Sequence, residues 1–198
     1  MDLARALGEL LLDAEAHASA TPDEQVAAAV LVPLYVDQRD RLRLVLTKRR
    51  SDLRRHAGEV SFPGGRQDEQ DSSLQDTALR EAQEEIGLAR TGVSIVGALE
   101  RTSTFATNYS IHPFVALLDG EPGPRAWRIS EREVESVLEP TLDEVRAAHG
   151  RTTVERRGFV FETDAYLFDD QVVWGATARI VEELLSRIAP LLDRGAYV

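Results

Sequence analysis

Hydrophobic and polar residues alternate along this chain with periods that predict both helices and strands. Leucines at positions 3, 7, 10 and 11 recur at helical spacing and predict an amphipathic helix within residues 1–20. A nearly continuous apolar run predicts a buried strand over residues 26–36, and alternation over residues 42–46 predicts a second strand. The polar residues 37–40 between them predict a turn, so the two strands should form a hairpin.

The remaining pattern interleaves helices and strands. After a long loop over residues 48–65, it predicts a helix over 74–86, strands over 93–99, 111–118 and 134–138, a short helix over 142–148, paired strands at 159–161 and 166–168, and a last helix over 174–192. No regular strand–helix–strand repeat is present. This favours the α/β (α+β) class, with a mixed sheet sandwiched between helices. The length of 198 residues fits a single domain over residues 1–198.

Composition excludes several classes of function. The chain has no cysteine, so disulfides, thiolate metal sites and cysteine nucleophiles are excluded, and any metal must be held by oxygen or imidazole. A net charge of −11 argues against nucleic-acid and anionic membrane partners. Neither a secretory signal nor an apolar run of membrane-spanning length is evident, so we expect a cytoplasmic protein.

Positive charge is concentrated in one part of this acidic chain. Eight lysines and arginines lie between residues 39 and 55, against two aspartates in the same stretch. Such a local cluster suits a small anionic ligand better than a long polyanion. A solvated surface loop with incidental charges is the alternative explanation.

The predicted helix over residues 74–86 carries three crowded carboxylates. Ser72 and Gln75 fit a capping box at its start, and Gly87 can supply the left-handed residue that ends it. Glu81, Glu84 and Glu85 share one arc at spacing i, i+3, i+4. Like charges at that spacing destabilise a helix, and a divalent cation would reverse the penalty. A solvated charged face is the other interpretation of this pattern.

The loop before this helix strengthens the metal hypothesis. Phe62-Pro63-Gly64-Gly65 is a rigid turn followed by two residues without a Cβ atom, which permits close backbone approach to a ligand or a metal. An acidic loop then leads to the sequence Arg80-Glu81-Ala82-Gln83-Glu84-Glu85-Ile86-Gly87-Leu88.

These residues resemble the Nudix hydrolase box, which reads G, five residues, E, seven residues, then R-E-U-x-E-E-x-G-U with U aliphatic. Residues 80–88 match the second half at every fixed position. In the first half the loop from Gly65 to Arg80 is one residue longer, and Asp71 stands in place of the glutamate. The resemblance implies a Nudix-type α/β/α sandwich with a mixed β-sheet, with the N-terminal helix outside the matched region.

A second stretch resembles one subgroup of that family. Residues 46–49 and 53–65 are similar to the motif found upstream of the box in coenzyme A pyrophosphatases, although Arg50 replaces a small residue there. The longer box loop also occurs in that subgroup. Residues 173–179 resemble the start of its last helix.

The resemblance implies metal and catalytic residues. Glu81, Glu84 and Glu85 would bind Mg²⁺ or Mn²⁺, with a backbone carbonyl from the Gly65 region. Glu81 or a carboxylate outside the box would accept the proton of the attacking water, and Arg80 would orient Glu81. Among Glu131, Glu133 and Glu135 we select Glu133 as the carboxylate outside the box, with a solvated turn as the alternative.

The resemblance also implies substrate contacts. Arg49, Arg54 and Arg55 are expected to contact the phosphates of a coenzyme A-like substrate, together with His56, for which a backbone-satisfied loop histidine is the alternative. Gly64 and Asp71 are placed at the substrate through the box loop. Tyr109 could stack on an adenine or pack on the sheet edge.

The leading hypothesis is therefore metal-dependent hydrolysis of the pyrophosphate bond of coenzyme A or a derivative, giving 3′,5′-ADP and 4′-phosphopantetheine or its acyl form. A Nudix pyrophosphatase for ADP-ribose, NADH, a dinucleoside polyphosphate or an oxidised dNTP is the first alternative. A non-catalytic nucleotide-binding sensor is the second. The expected partner is a small-molecule nucleotide, and the N-terminal helix could serve a homodimer interface.

Overall fold

A computed structural model of the chain describes residues 2–17, 25–52, 57–104, 108–120, 126–156, 158–168 and 170–193. Its five helices within these ranges are α1 (Leu3–Gly8), α2 (Ala14–His17), α3 (Leu74–Ile86), α4 (Leu142–Ala147) and α5 (Gly175–Leu192). No helix in the described part of the chain is long and apolar enough to cross a membrane.

The strands of the central sheet are β1 (Val26–Val36), β2 (Leu42–Leu44), β5 (Gly64–Arg66), β6 (Val93–Ala98), β7 (Thr102–Ser103) and β8 (Tyr109–Leu118). Strand β1 runs parallel to β8 and antiparallel to β2 and β5, so the sheet is mixed. Two three-stranded sheets complete the fold. One orders β4 (Val60–Ser61), β3 (Leu46–Arg49) and β9 (Val134–Leu138), and the other orders β10 (His149–Arg156), β11 (Phe159–Phe168) and β12 (Gln171–Trp174).

The apolar run of β1 is continuous because both faces of this strand are covered. Ala29 and Leu31 pack with the buried side of α3, including Ala78 and Ile86. Val32 and Leu34 lie in a second cluster with residues of α1 and α5. Helices therefore cover both faces of the mixed sheet, which confirms the α/β/α sandwich expected from the sequence.

Several predicted elements were wrong in detail. The strand predicted over residues 42–46 divides at Val45, whose N–H donates to the Pro33 carbonyl at 3.0 Å, and its two parts join different sheets. The predicted loop over residues 48–65 contains the two short strands β4 and β5. The N-terminal helix ends at Gly8, so Leu10 and Leu11 lie beyond it. The N-cap of α3 is Ser73, one residue later than predicted.

The paired strands predicted at residues 159–161 and 166–168 are two ends of the single strand β11. This strand pairs with β10 on one side and β12 on the other. The interpretation failed because Glu162, Thr163 and Asp164 interrupt the apolar pattern where β11 is exposed to solvent. A strand without a buried face there has no reason to alternate.

The turn between β1 and β2 is held by a buried carboxylate. Asp37 Oδ1 accepts hydrogen bonds from the backbone N–H groups of Arg39 and Arg41, and Oδ2 accepts from the guanidinium groups of Arg41 and Arg43. Burial alone would raise the pKa of Asp37, but these hydrogen bonds, led by that of Arg43, hold it well below its usual range. Arg41 and Arg43 are therefore committed to the fold rather than to a ligand.

We predict that Asp37→Asn lowers the free energy of unfolding by about 2 kcal/mol at pH 7, because it removes charge-assisted hydrogen bonds. A carboxylate whose pKa is depressed in the folded state stabilises the protein above its unfolded pKa, and this contribution is lost as the pH falls. The difference between wild type and variant should therefore shrink below about pH 4. Urea unfolding at pH 7 and at pH 3 to 4 measures both quantities.

The matched control is Asp40→Asn, which makes the same substitution at an exposed position of the same turn. It should change the stability by less than about 0.5 kcal/mol. An Asp37→Asn difference that stays constant as the pH falls would contradict the role assigned to the Asp37 charge.

Candidate active site

Helix α3 presents its carboxylates beside its buried face. Ser73 Oγ accepts a hydrogen bond from the Asp76 N–H at 3.1 Å and so begins the helix. Gly87 ends it in the left-handed conformation, at φ 68°. The Glu84 side chain is exposed, that of Glu81 is mostly covered, and Glu85 is only 4% exposed. The three carboxylates thus run from solvent into the protein.

A segment after residue 126 closes over the C-terminal end of α3. The Arg128 N–H donates to the Ile86 carbonyl at 3.1 Å, and the Ser130 N–H donates to the Glu85 carbonyl at 2.8 Å. These bonds satisfy carbonyls that a helix end otherwise leaves without partners. Gly87 has a second reason to be glycine, since a Cβ atom there would lie 2.6 Å from Arg128 Cβ. The segment continues directly to Glu133 and brings it to α3.

The two glycines of the loop have different neighbours. Strand β5 pairs with β1, placing Gly64 opposite Val30 and Gly65 opposite Ala29. A Cβ atom on Gly64 would overlap the backbone of β1, whereas a Cβ atom on Gly65 would overlap the Glu81 carboxylate. Gly64 is therefore required by the sheet. Gly65 is required by the carboxylate, as expected for a residue whose backbone approaches the site.

Arg80 joins the box loop to the helix. Its guanidinium forms a bidentate pair with Asp71, Nε to Oδ1 at 2.8 Å and Nη2 to Oδ2 at 2.9 Å, while Nη1 donates to Glu81 Oε1 at 2.8 Å. The hydrogen bonds from Arg80 hold the pKa of the buried Asp71 well below its usual range. Glu81 is thus oriented by Arg80, which Asp71 fixes in turn.

Asp71, predicted to contact the substrate, has further partners within the protein. Its Oδ2 atom also accepts from the Thr77 hydroxyl at 2.9 Å and from the Asp68 N–H at 2.9 Å. Both oxygens are engaged inside the protein, so the structure makes Asp71 an anchor for Arg80. Although the box loop is one residue longer and aspartate replaces glutamate, Asp71 still reaches Arg80 with both of its side-chain oxygens.

Burial and mutual repulsion make full ionisation of the cluster costly. Burial raises the pKa of Glu85 to about 8, against the opposing effect of Arg49, and the charges of Glu81 and Glu133 add to the increase. Burial also raises the pKa of Glu81, with hydrogen bonding from Arg80 acting in the opposite direction. A cation placed among these side chains would relieve both effects.

Arg49 lies between carboxylates rather than on an open surface. Its Nη1 atom is 3.6 Å from Glu85 Oε1, and its Nη2 atom is 3.8 Å from Glu133 Oε2. Arg49 Nε and Glu85 Oε2 are buried, and neither finds a hydrogen-bond partner among the described residues. Unpartnered buried polar atoms of this kind are costly, and a bound water, ion or ligand would satisfy them.

The residues fit a divalent cation. Within the described ranges no three acidic or histidine side chains converge into a ready-made metal cage. The donor set is nevertheless the oxygen-rich kind that Mg²⁺ and Mn²⁺ prefer, with a buried Glu85 oxygen free to bind and a Gly65 backbone that approaches Glu81. Such a partial set of ligands is typical of an open metal site, in which substrate oxygens and water complete the coordination.

Of the residues proposed for the site, the structure brings Arg49, Gly64, Gly65 and Glu133 close to the carboxylates of α3. Arg54, Arg55 and His56 lie outside the described residues. Tyr109 begins β8 opposite Val26, two ladder positions from the Ala28–Arg66 pair. It is therefore at the sheet end nearest the box loop.

The supporting role of Arg50 was not predicted. Its N–H donates to the Glu133 carbonyl at 3.0 Å, and its guanidinium binds Asp52 and the Glu131 carbonyl. Arg50 so ties the segment that carries Glu133 to the end of β3. The only signal in the sequence was its departure from the small residue usual at that position.

Known proteins resemble this chain in sequence and in fold. Residues 25–160 match the family model described as NUDIX domain. Proteins named uncharacterized Nudix hydrolase NudL from Salmonella paratyphi B and Salmonella newport are 38% identical over 166 residues, which is 83% of this chain and 83% of each relative.

Solved structures support the fold alone. The C. elegans Ap4A hydrolase in a binary complex matches with a TM-score of 0.53 at 17% identity, covering 85% of this chain and 98% of that protein. A MutT/nudix family protein from Enterococcus faecalis matches with a TM-score of 0.54 at 16% identity, covering 86% of this chain and 64% of that protein. Since the family model spans more than half of the sequence and the relatives align over most of it, the chain belongs to the Nudix hydrolase family.

Proposed function

We propose that this Nudix hydrolase cleaves the pyrophosphate bond of coenzyme A or a derivative, giving 3′,5′-ADP and 4′-phosphopantetheine or its acyl form. The observation that carries the proposal is the position of Arg49. This residue belongs to the stretch that resembles the coenzyme A motif, and its guanidinium lies against Glu85 and Glu133. The stretch that resembles the coenzyme A motif and the acidic helix therefore meet in one place in the fold, as a coenzyme A site would need.

Glu81, Glu84 and Glu85 would hold Mg²⁺ or Mn²⁺, together with the Gly65 carbonyl. When bound there, such ions would neutralise charge on the pyrophosphate and would make the attacking water more acidic. Glu81 accepts the proton of that water, and Glu133 is the second carboxylate able to do so. Arg80 holds the Glu81 carboxylate in one orientation, which matters because phosphoryl transfer depends mainly on positioning and electrostatics.

The negative charge of coenzyme A determines which cationic side chains we assign to it. Coenzyme A carries a 3′-phosphate besides its pyrophosphate, so it needs several positive groups. We assign Arg49, Arg54, Arg55 and His56 to these phosphates. At Gly64 the backbone of the box loop can approach the substrate closely. The Tyr109 ring would stack on the adenine. Arg41 and Arg43 are not included, because Asp37 already binds both.

The test is turnover by the purified protein with Mg²⁺ or Mn²⁺ and, in parallel, coenzyme A, ADP-ribose, NADH, a diadenosine polyphosphate and 8-oxo-dGTP. We expect coenzyme A to be cleaved fastest, with 3′,5′-ADP as product by chromatography. Glu81→Gln should lower kcat by about a hundredfold or more, since it removes the proton acceptor without changing its shape.

Glu69→Gln is the matched control, because it makes the same change at an exposed position before the helix. It should leave turnover unchanged. Faster cleavage of another substrate would refute the coenzyme A assignment while keeping the site. Wild-type turnover by Glu81→Gln would refute the mechanism, and failure of the whole panel would favour the nucleotide-binding sensor.

We predict that Arg54→Ala combined with Arg55→Ala raises KM for coenzyme A at least about tenfold more than KM for dephospho-coenzyme A, because the loss of even one contact to a charged group costs about 1.5–3 kcal/mol. The two substrates differ only in the 3′-phosphate, so each serves as the control for the other. Initial-rate kinetics with both substrates measure the ratio. Equal effects would remove these arginines from 3′-phosphate binding.

We also predict that Gly65→Ala weakens Mn²⁺ binding by about tenfold or more, because the added methyl group displaces Glu81. Isothermal titration with Mn²⁺ measures this effect without any substrate. Gly64→Ala is the comparison, since its methyl group meets the backbone of β1 and should lower the melting temperature instead. Equal Mn²⁺ affinity in wild type and Gly65→Ala would contradict the proposed place of Glu81 at the metal.

A further inference from the structure

The long hairpin of β10 and β11 extends away from the core. Its base is buried, with Ala165 0% and Tyr166 3% exposed, whereas Phe159 near its turn is 75% exposed and Phe161 is 42% exposed. The register between the two strands is regular from His149 opposite Tyr166 to Arg156 opposite Phe159. This part of the molecule therefore presents ordered strand structure and apolar side chains to solvent.

No described strand pairs with the outer edge of β10. Strand β11 has β12 on its far side, and among the described strands only β11 pairs with β10. An edge strand offers a row of backbone N–H and C=O groups to another chain, and proteins usually shorten, bulge or interrupt such edges with proline. Strand β10 has eight residues, contains no proline and shows no bulge against β11.

The charges along this edge are self-complementary. In an antiparallel pair of two β10 strands centred on Thr153, Arg151 of each copy lies directly opposite Glu155 of the other. The two-fold symmetry of such a pair creates this contact twice. Moving the centre by one residue in either direction separates Arg151 from Glu155. Opposite charges directly across an antiparallel pair are stabilising, so they select one register.

The apolar face follows the same register. Thr152 and Val154 lie on one face of β10, and Phe161 lies opposite Val154 on β11, where it contacts Trp174 with ring centroids 6.3 Å apart. Centring the pair on Thr153 places Val154 of one copy opposite Thr152 of the other. The apolar residues of the two hairpins would then lie on the same side of one continuous sheet.

We propose that two copies of this chain associate through β10, antiparallel and centred on Thr153, joining their three-stranded sheets into one sheet of six strands. Leu3 and Leu7 of α1 are buried in the core of their own chain, so these two leucines are not available to a second copy. The inference is independent of the substrate, since it concerns a hairpin whose residues carry no assigned catalytic role.

Charge reversal tests the pairing in the full-length protein. Sedimentation across a range of concentrations should give a dimer for the wild type. Arg151→Glu and Glu155→Arg should each raise the dissociation constant about tenfold or more, because each turns two attractive contacts into repulsive ones. The double variant Arg151→Glu with Glu155→Arg should restore the wild-type constant.

Glu182→Arg is the matched control, since it makes the same charge change at an exposed position of α5, whereas the nearer Glu162 is ion-paired with Arg151 at 3.4 Å. It should affect the constant much less than Glu155→Arg. A monomeric wild type, or a dimer that neither reversal weakens and the double variant does not rescue, would overturn the proposal. Circular dichroism of each variant separates loss of pairing from loss of folding.

A single introduced cysteine gives an independent measurement, because the chain contains none of its own. In Thr153→Cys the two thiols would face each other at the symmetry axis, so mild oxidation should yield a disulfide-linked dimer. Glu162→Cys on the neighbouring strand should link far more slowly. Equal linking by the two variants would contradict the position of the axis.

Discussion

The repulsion among carboxylates gathered at one end of α3 is the constraint around which the site is built. Glu81, Glu84 and Glu85 share a helix face, and Glu133 approaches from another segment. Burial raises the pKa of Glu85 to about 8, so the protein holds these groups together at a cost. Every neighbouring element can be understood by how it keeps the carboxylates in place.

Two arginines limit that cost in different ways. Arg80 is fixed on both sides, by Asp71 and by Glu81, and therefore acts as a rigid brace. Arg49 approaches Glu85 and Glu133 at 3.6 and 3.8 Å, beyond ordinary hydrogen-bond length, and retains an unpartnered Nε atom among the described residues. Arg80 sets one orientation of Glu81, whereas under the proposed function Arg49 would exchange its carboxylate partners for a substrate phosphate.

Sequence reasoning predicted the helix and the grouping of its carboxylates because both depend on local spacing. Apolar residues at a period of 3.6 define α3, and the fixed positions of the box define the carboxylates. The docking of Arg128 and Ser130 on the helix end could not be predicted, since it uses backbone groups that any residue provides. The division of residues 42–49 between two sheets was also hidden, because Leu44 and Leu46 are both buried on either side of the break.

The basic stretch from residue 39 onward illustrates the same limit. By charge alone its members are equivalent, and all could have been assigned to an anionic ligand. In the structure, Arg41 and Arg43 bind Asp37, and Arg50 binds the segment that carries Glu133. Arg49 lies against the carboxylates of the site. Each assignment depends on a partner distant in the fold or on a turn geometry, neither of which charge density encodes. A cluster of like charges in a sequence therefore indicates where cations are needed, and only the fold separates structural from functional ones.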